Sequence, residues 1–262
     1  MLRCPNCHSE LKRIEKTYQC EKGHCFDVAK QGYTNLLIHT QKNTGDNKIM
    51  VDARKLFFSK DYYHSLKARI IDIIKELNIK TLIDAGCGEG YYTNAIKDAI
   101  NCDVYGFDMS KLALAKAAKG NQAVHYFVSS VFDMPVSEEC ADAVLSIFAP
   151  YSFTEMLRVL KQDGYFIKVG PGPYHLFDLK EVLYNEPYLN QIEVDQNEYF
   201  ELVKKIEVKD EIVVEGQDCI DALFKMTPYY YHTPKDGAAK LAELTQLKTH
   251  LEFNIEIYRK IK

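Results

Sequence analysis

The segment Asp84-Ala85-Gly86-Cys87-Gly88-Glu89-Gly90 constrains this chain more than any other. An apolar run, Thr81-Leu82-Ile83, leads into it, and a helical pattern begins near Tyr91. A strand that ends in a glycine-rich turn and reopens as a helix brings backbone close to a ligand. The first N–H groups of the helix then face that ligand without partners. Dinucleotide-binding folds share this logic, but the spacing here is G-x-G-x-G and lacks the G-x-x-G step of the pyrophosphate fingerprint. Asp84 precedes the loop, where a carboxylate suits a cationic amino group. Asp108 ends the next strand-like run, where an acid suits two ribose hydroxyls. An amino acid, a ribose and no phosphate describe S-adenosylmethionine (SAM) better than NAD. Two plainer roles stay open: Asp108 as a helix cap before Ser110, and Glu89 as a first-turn carboxylate favoured by the helix dipole.

Strand and helix patterns alternate around this loop. Leu66, Ile70, Ile73, Ile74 and Leu77 recur at helical spacing, and Lys111 to Lys119 and Glu155 to Leu160 read as helices. Val104–Asp108, Val124–Val128, Ala143–Ile147 and Tyr165–Val169 read as strands, with turns at 135–142 and 161–164. Such alternation predicts an α/β, Rossmann-like fold around a mostly parallel sheet. Leu251 to Ile257 alternates strictly between apolar and polar residues, which predicts a strand at the sheet edge. Backbone of residues 129–135 is expected to hold the adenine.

The first forty residues follow different rules. Four cysteines and two histidines fall within 25 positions, too short a stretch for a hydrophobic core of its own. Cys4, Cys7, Cys20 and His24 have the spacing C-x2-C-x12-C-x3-H, and three thiolates with one imidazole make a closed tetrahedral zinc site. Cys25 is the alternative fourth ligand. The expected organisation is a zinc-binding module at 1–40, a linker at 41–60 and a cofactor-binding domain at 61–262. Cys87, Cys102, Cys140 and Cys219 are expected to pack as small apolar groups.

Composition narrows the class. With 262 residues, 47% hydrophobic and 27% charged, the chain is globular. It has no apolar run near the roughly 18 residues of a membrane span. Its start lacks the apolar core of a signal peptide, so a cytoplasmic protein without disulfides is expected. The net charge of −4 is unevenly spread: residues 1–60 hold eleven Lys and Arg against six Asp and Glu, the remainder twenty-two against thirty-one. A basic N-terminal segment suits a polyanion, or is simply a solvated face.

The glycine loop resembles motif I of the class I SAM-dependent methyltransferases. The zinc spacing with Phe26-Asp27-Val28-Ala29-Lys30-Gln31-Gly32-Tyr33 resembles the 23S rRNA (guanine-N1)-methyltransferases. So do Phe148-Ala149-Pro150, Gly170-Pro171-Gly172-Pro173-Tyr174-His175 and Met226-Thr227-Pro228. The resemblance implies methylation of guanine N1 in a hairpin loop of 23S rRNA, by a homodimer. It implies a structural zinc on Cys4, Cys7, Cys20 and His24, and SAM contacts at Tyr63, Gly88, Glu89 and His175; Asp84, Gly86 and Asp108 join these from the reading above. Tyr63 is otherwise a helix-surface aromatic, and His175 a helix cap. Tyr229-Tyr230-Tyr231 either stacks a splayed base or packs on a sheet. No residue declares itself as the general base. Two further readings are a small-molecule methyltransferase with a zinc ribbon, and a non-catalytic RNA-binding protein.

Overall fold

The computed structural model describes residues 1–38, 47–192 and 195–262. Near the N-terminus, β1 (Leu11–Ile14), β2 (Thr17–Cys20) and β3 (Cys25–Asp27) form a small antiparallel sheet. Then follow β4 (Tyr33–Asn35), α1 (Lys48–Ser59), α2 (His64–Glu76), β5 (Thr81–Ala85), α3 (Tyr91–Ala99), β6 (Asp103–Asp108) and α4 (Lys111–Gly120). Next come β7 (His125–Val128), β8 (Ala141–Ile147), α5 (Phe153–Val159), β9 (Leu160–Pro171) and α6 (Phe177–Leu183). The chain closes with β10 (Phe200–Glu215), α7 (Gln217–Lys225), a 3-10 turn (Pro228–Tyr231), α8 (Lys235–Ala242) and β11 (Gln246–Lys260).

The main sheet has eight strands in the order β10-β11-β9-β8-β5-β6-β7-β4. Pairing is parallel from β9 to β4 and antiparallel at β11 and β10. The Rossmann-like expectation holds. β5 lies at the centre because Leu82 and Ile83 bury both of its faces. From β5 the chain winds outward through β6 and β7, then returns to β8 on the other side. That reversal opens a crevice beyond the C-terminal ends of β5 and β8, where such sheets bind ligands.

Four expectations change. Residues 48–59 of the expected linker form α1, because Asn47 caps it by accepting the Met50 N–H at 3.0 Å and Val51, Ala53 and Phe57 are buried. The rest of that linker lies mostly outside the described residues. Leu251–Ile257 is not at an edge: β11 sits between β9 and β10, and its polar residues Glu252, Asn254 and Glu256 are buried with its apolar ones. Lysines make that tolerable, with Glu252 3.0 Å from Lys209 and Glu256 3.1 Å from Lys168. The turn at 161–164 is a bulge inside β9, since Ala141 pairs with Leu160 but Ala143 with Tyr165.

The fourth change concerns the zinc module. β4 is a strand of the main sheet, parallel to β7. Leu2 bridges Val136, Arg3 N–H donates to Pro135 O at 2.8 Å, and Ser137 N–H to Met1 O at 2.7 Å. Leu2, Leu11, Tyr18 and Leu36 bury themselves in one cluster with Ile83, Phe107 and Phe127. A segment too short for its own core has borrowed one face of the sheet. Removing Tyr18, whose ring meets Phe127 edge-on at 5.5 Å, should therefore destabilise the whole chain. We expect Tyr18→Ala to cost about 3 kcal/mol in urea denaturation followed by a probe in the body. An unchanged body transition would show that the ribbon folds independently.

Candidate active site and metal centre

The four zinc candidates converge. Their ligand atoms lie within 4.8 Å of one another. Cys7 and Cys20 sulfurs are 3.7 Å apart, and His24 Nδ1 is 3.5 Å from Cys4 Sγ and 3.4 Å from Cys20 Sγ. Tetrahedral zinc with sulfur at ~2.3 Å needs sulfur separations of about 3.8 Å, so the donors fit the ion. Cys25 is exposed, its sulfur turned to Gly23 O at 3.4 Å and outside the cluster. His24, not Cys25, completes the set.

At the crevice, Gly86, Gly88 and Gly90 have φ of 85°, 54° and 79°, the left-handed region that side chains disfavour. A Cβ on Gly86 would lie 2.4 Å from that of Ala149, and one on Gly90 2.6 Å from Tyr126 Oη. At Gly88 the same direction is open space. The loop is thus pressed against the body at two glycines and faces outward at the third. Asp108 accepts the Gly88 N–H at 2.9 Å and the Ser110 N–H at 2.7 Å. Ser110 itself caps α4, through the Ala113 N–H. Glu89 pairs with Arg54 of α1 at 3.0 Å, both largely shielded.

Asp84 is buried and accepts the Thr93 hydroxyl at 2.6 Å. Burial pushes its carboxyl up to about 7, against that hydrogen bond and with help from the Asp108 charge. The Tyr92 hydroxyl is buried without a partner among the described residues, within electrostatic reach of Tyr63, Glu89 and Asp84. A buried hydroxyl and a buried carboxyl close together offer a donor and an acceptor to a zwitterionic group.

Tyr63 is not a surface aromatic. It is buried at the start of α2, its hydroxyl 3.3 Å from His175 Nε2. His175 does not cap α6, which has no side-chain cap. Burial holds its imidazole down to about 3, with the Lys180 charge adding to the effect, so it is neutral. Its Nδ1 accepts the Glu252 N–H at 3.3 Å, which leaves the proton on Nε2 to be donated to Tyr63 Oη. The Tyr63 hydroxyl hydrogen is then available to another acceptor. Beside this pair, Phe148 has φ 51° and is 48% exposed. The tyrosines of the 3-10 turn pack around α1, α6 and α7 rather than on the sheet: Tyr229 meets Tyr184 edge-on, Tyr230 meets Phe224 edge-on, and Tyr231 accepts the Asn47 amide.

Comparisons with known proteins decide the family. Residues 2–44 match the family model described as "RlmA, N-terminal", and residues 83–168 the model described as "Methyltransferase domain". The Bacillus subtilis (strain 168) protein YxjB, provisionally named a 23S rRNA (guanine-N1)-methyltransferase, is 30% identical over 274 residues, 98% of this chain and 96% of its own. The chain belongs to the 23S rRNA (guanine-N1)-methyltransferase family. The 23S rRNA (guanine(748)-N1)-methyltransferase of Streptomyces fradiae is 29% identical over 255 residues, covering 93% and 90% of the two chains. Among solved structures, the YcgJ protein of Bacillus subtilis matches with a TM-score of 0.48 at 18% identity, covering 77% of this chain and 100% of that one. The family's cofactors are SAM and a structural zinc, and both donor sets fit. Sequence reasoning missed Arg54, Tyr92 and Thr93. Tyr92 and Thr93 lie just after the glycine loop, whereas nothing local marks Arg54.

The Asp84 shift makes a stability prediction. A carboxyl whose pKa rises on folding, here from 3.8 to about 7, contributes stability below pH 4 that is lost as pH climbs to 7. Asp84→Asn removes the charge and can still accept the Thr93 hydroxyl. In chemical denaturation it should match wild type near pH 4 and be more stable at pH 8. Equal stabilities at pH 8 would mean the carboxyl ionises normally.

Proposed function

We propose that this protein methylates N1 of a guanine in a hairpin loop of 23S rRNA, acting in the cytoplasm as a homodimer. The observation that carries the reading is the joining of a zinc ribbon and a SAM crevice in one core, in a chain similar over almost its whole length to enzymes named for that reaction. No helix among the described residues is long and apolar enough to cross a membrane.

Bound SAM supplies a methyl group on a positively charged sulfonium. Asp84 would face the α-ammonium, and the Tyr63 and Tyr92 hydroxyls the carboxylate. Asp108, held by two backbone N–H groups, would take the ribose, and the open side of Gly88 would receive the cofactor body. Residues 129–135, with Phe132 exposed, would hold the adenine. Glu89, paired with Arg54, ties the loop to α1. These residues fix the donor; the acceptor must be unstacked and aligned with it, its N1 proton leaving before or during attack.

On the RNA side, a cavity of about 380 Å³ opens between ribbon and body, with Arg3, His8, Ser130, Asp133 and Arg158 in its wall. With the basic balance of residues 1–60, it offers phosphate contacts, so hairpin affinity should fall steeply with salt.

The test is methyl transfer to 23S rRNA fragments, with the modified nucleotide mapped, beside transfer to a pool of free metabolites. Label on guanine N1 of one hairpin is expected. Label on a metabolite and none on RNA would overturn the reading. Tyr92→Phe should weaken SAM binding about 10- to 150-fold in calorimetry, the worth of one charge-assisted hydrogen bond.

A further inference from the structure

Phe148 combines features that the fold alone does not ask for. It follows β8 directly, at the reversal of the strand order, and its N–H donates to Val169 O at 3.0 Å. Its φ of 51° is one that a bulky L-residue rarely adopts. Such strain persists where the surroundings hold it, and it clusters at ligand sites. The next residue, Ala149, is the one pressed against Gly86. The backbone is therefore turned out of the strand just where the two crevice loops touch.

The ring meets two aromatic neighbours. It lies nearly parallel to the His175 imidazole, centroids 5.7 Å apart and planes at 29°, with the edge of Phe253 at 6.0 Å. Yet Phe148 remains 48% exposed. His175 is itself fixed, through Nδ1 to β11 and Nε2 to Tyr63. A half-exposed aromatic ring packed against a fixed imidazole, beside the loop proposed to hold the methyl donor, has the form of a stacking platform. Every nucleobase has a π-face to lay on such a ring.

We propose that Phe148 is the positioning residue on which the target guanine stacks once it leaves the hairpin. The inference rests on the guanine-N1 reading above. Stacking sets the plane of the base, and attack through the in-plane lone pair of N1 needs that plane to contain the methyl carbon. The platform thus acts on alignment, not on proton transfer or cofactor binding.

The test uses the full-length, zinc-loaded protein with SAM and the unmodified rRNA hairpin that wild type methylates, comparing Phe148→Tyr, Phe148→Leu and Phe148→Gly. Phe148→Tyr keeps an aromatic face and should transfer methyl close to the wild-type rate. Phe148→Leu should lose about 10- to 100-fold in single-turnover rate, with SAM affinity unchanged, as expected for loss of one base–aromatic stack. Phe148→Gly relieves the left-handed backbone, so it stays folded and should lose as much; its melting curve guards against misfolding. If Phe148→Leu or folded Phe148→Gly matches wild type, the ring is no platform. A parallel loss of SAM affinity would make Phe148 a prop for His175 and also overturn the proposal. Wild type that binds SAM but methylates no rRNA hairpin marks a different failure, that of the guanine reading itself.

Discussion

Gly86 and Ala149 approach so closely that one added methyl group would stand 2.4 Å from another. That contact is the consequence of reversing the strand order at β5. Two loops, one from β5 and one from β8, leave the sheet side by side, and a crevice exists only if they pack without side chains between them. The left-handed glycines, the outward Phe148 and the buried Asp84 follow from the same crowding. Asp84 ends a strand whose two faces are both covered, so its carboxyl cannot reach water.

The far wall of the crevice depends on β11. Its Glu252 N–H sets the His175 tautomer, and Phe253 supports both Tyr63 and His175 at centroid distances of 5.0 and 4.8 Å. The opposite face of the same strand buries Glu252 and Glu256 against lysines of neighbouring strands. A strand that reads as amphipathic therefore has polar groups inside on one face and apolar groups inside on the other. The neutral His175 is a product of this enclosure, and neutrality is what lets it donate through one nitrogen and accept through the other.

The parts legible in the sequence were those with short-range causes. The glycine loop, the zinc spacing and the parallel strands each arise from residues within a few positions, and they stand where periodicity and spacing put them. The misplacements share a long-range cause. Alternation in Leu251–Ile257 reports two environments but cannot say that β10, a strand the pattern did not reveal, pairs along the outer edge and brings Lys209 to Glu252. Residues 48–59 carry seven apolar residues, of which Val51, Ala53 and Phe57 are buried, and the partner they need is 160 or more positions away in α7. The Arg54–Glu89 pair was invisible for the same reason. The packing of the ribbon on the body was invisible because the ribbon's hydrophobic residues have their partners, Phe107 and Phe127, far away in sequence.

That shared core changes what the zinc does. In a free-standing ribbon the binding of the metal folds the ribbon alone. Here the segment that receives the ribbon, Met134 to Ser137, continues directly from Ser129, whose N–H donates to Asp108 O at 3.1 Å. Arg158 clamps the same segment through Met134 O and Val136 O, while Glu155 accepts the Met134 N–H. One short stretch of backbone thus has the acidic end of β6 at one end and the metal-ordered ribbon at the other. Its conformation is determined from both sides, so ordering the four zinc ligands also orders the edge of the crevice.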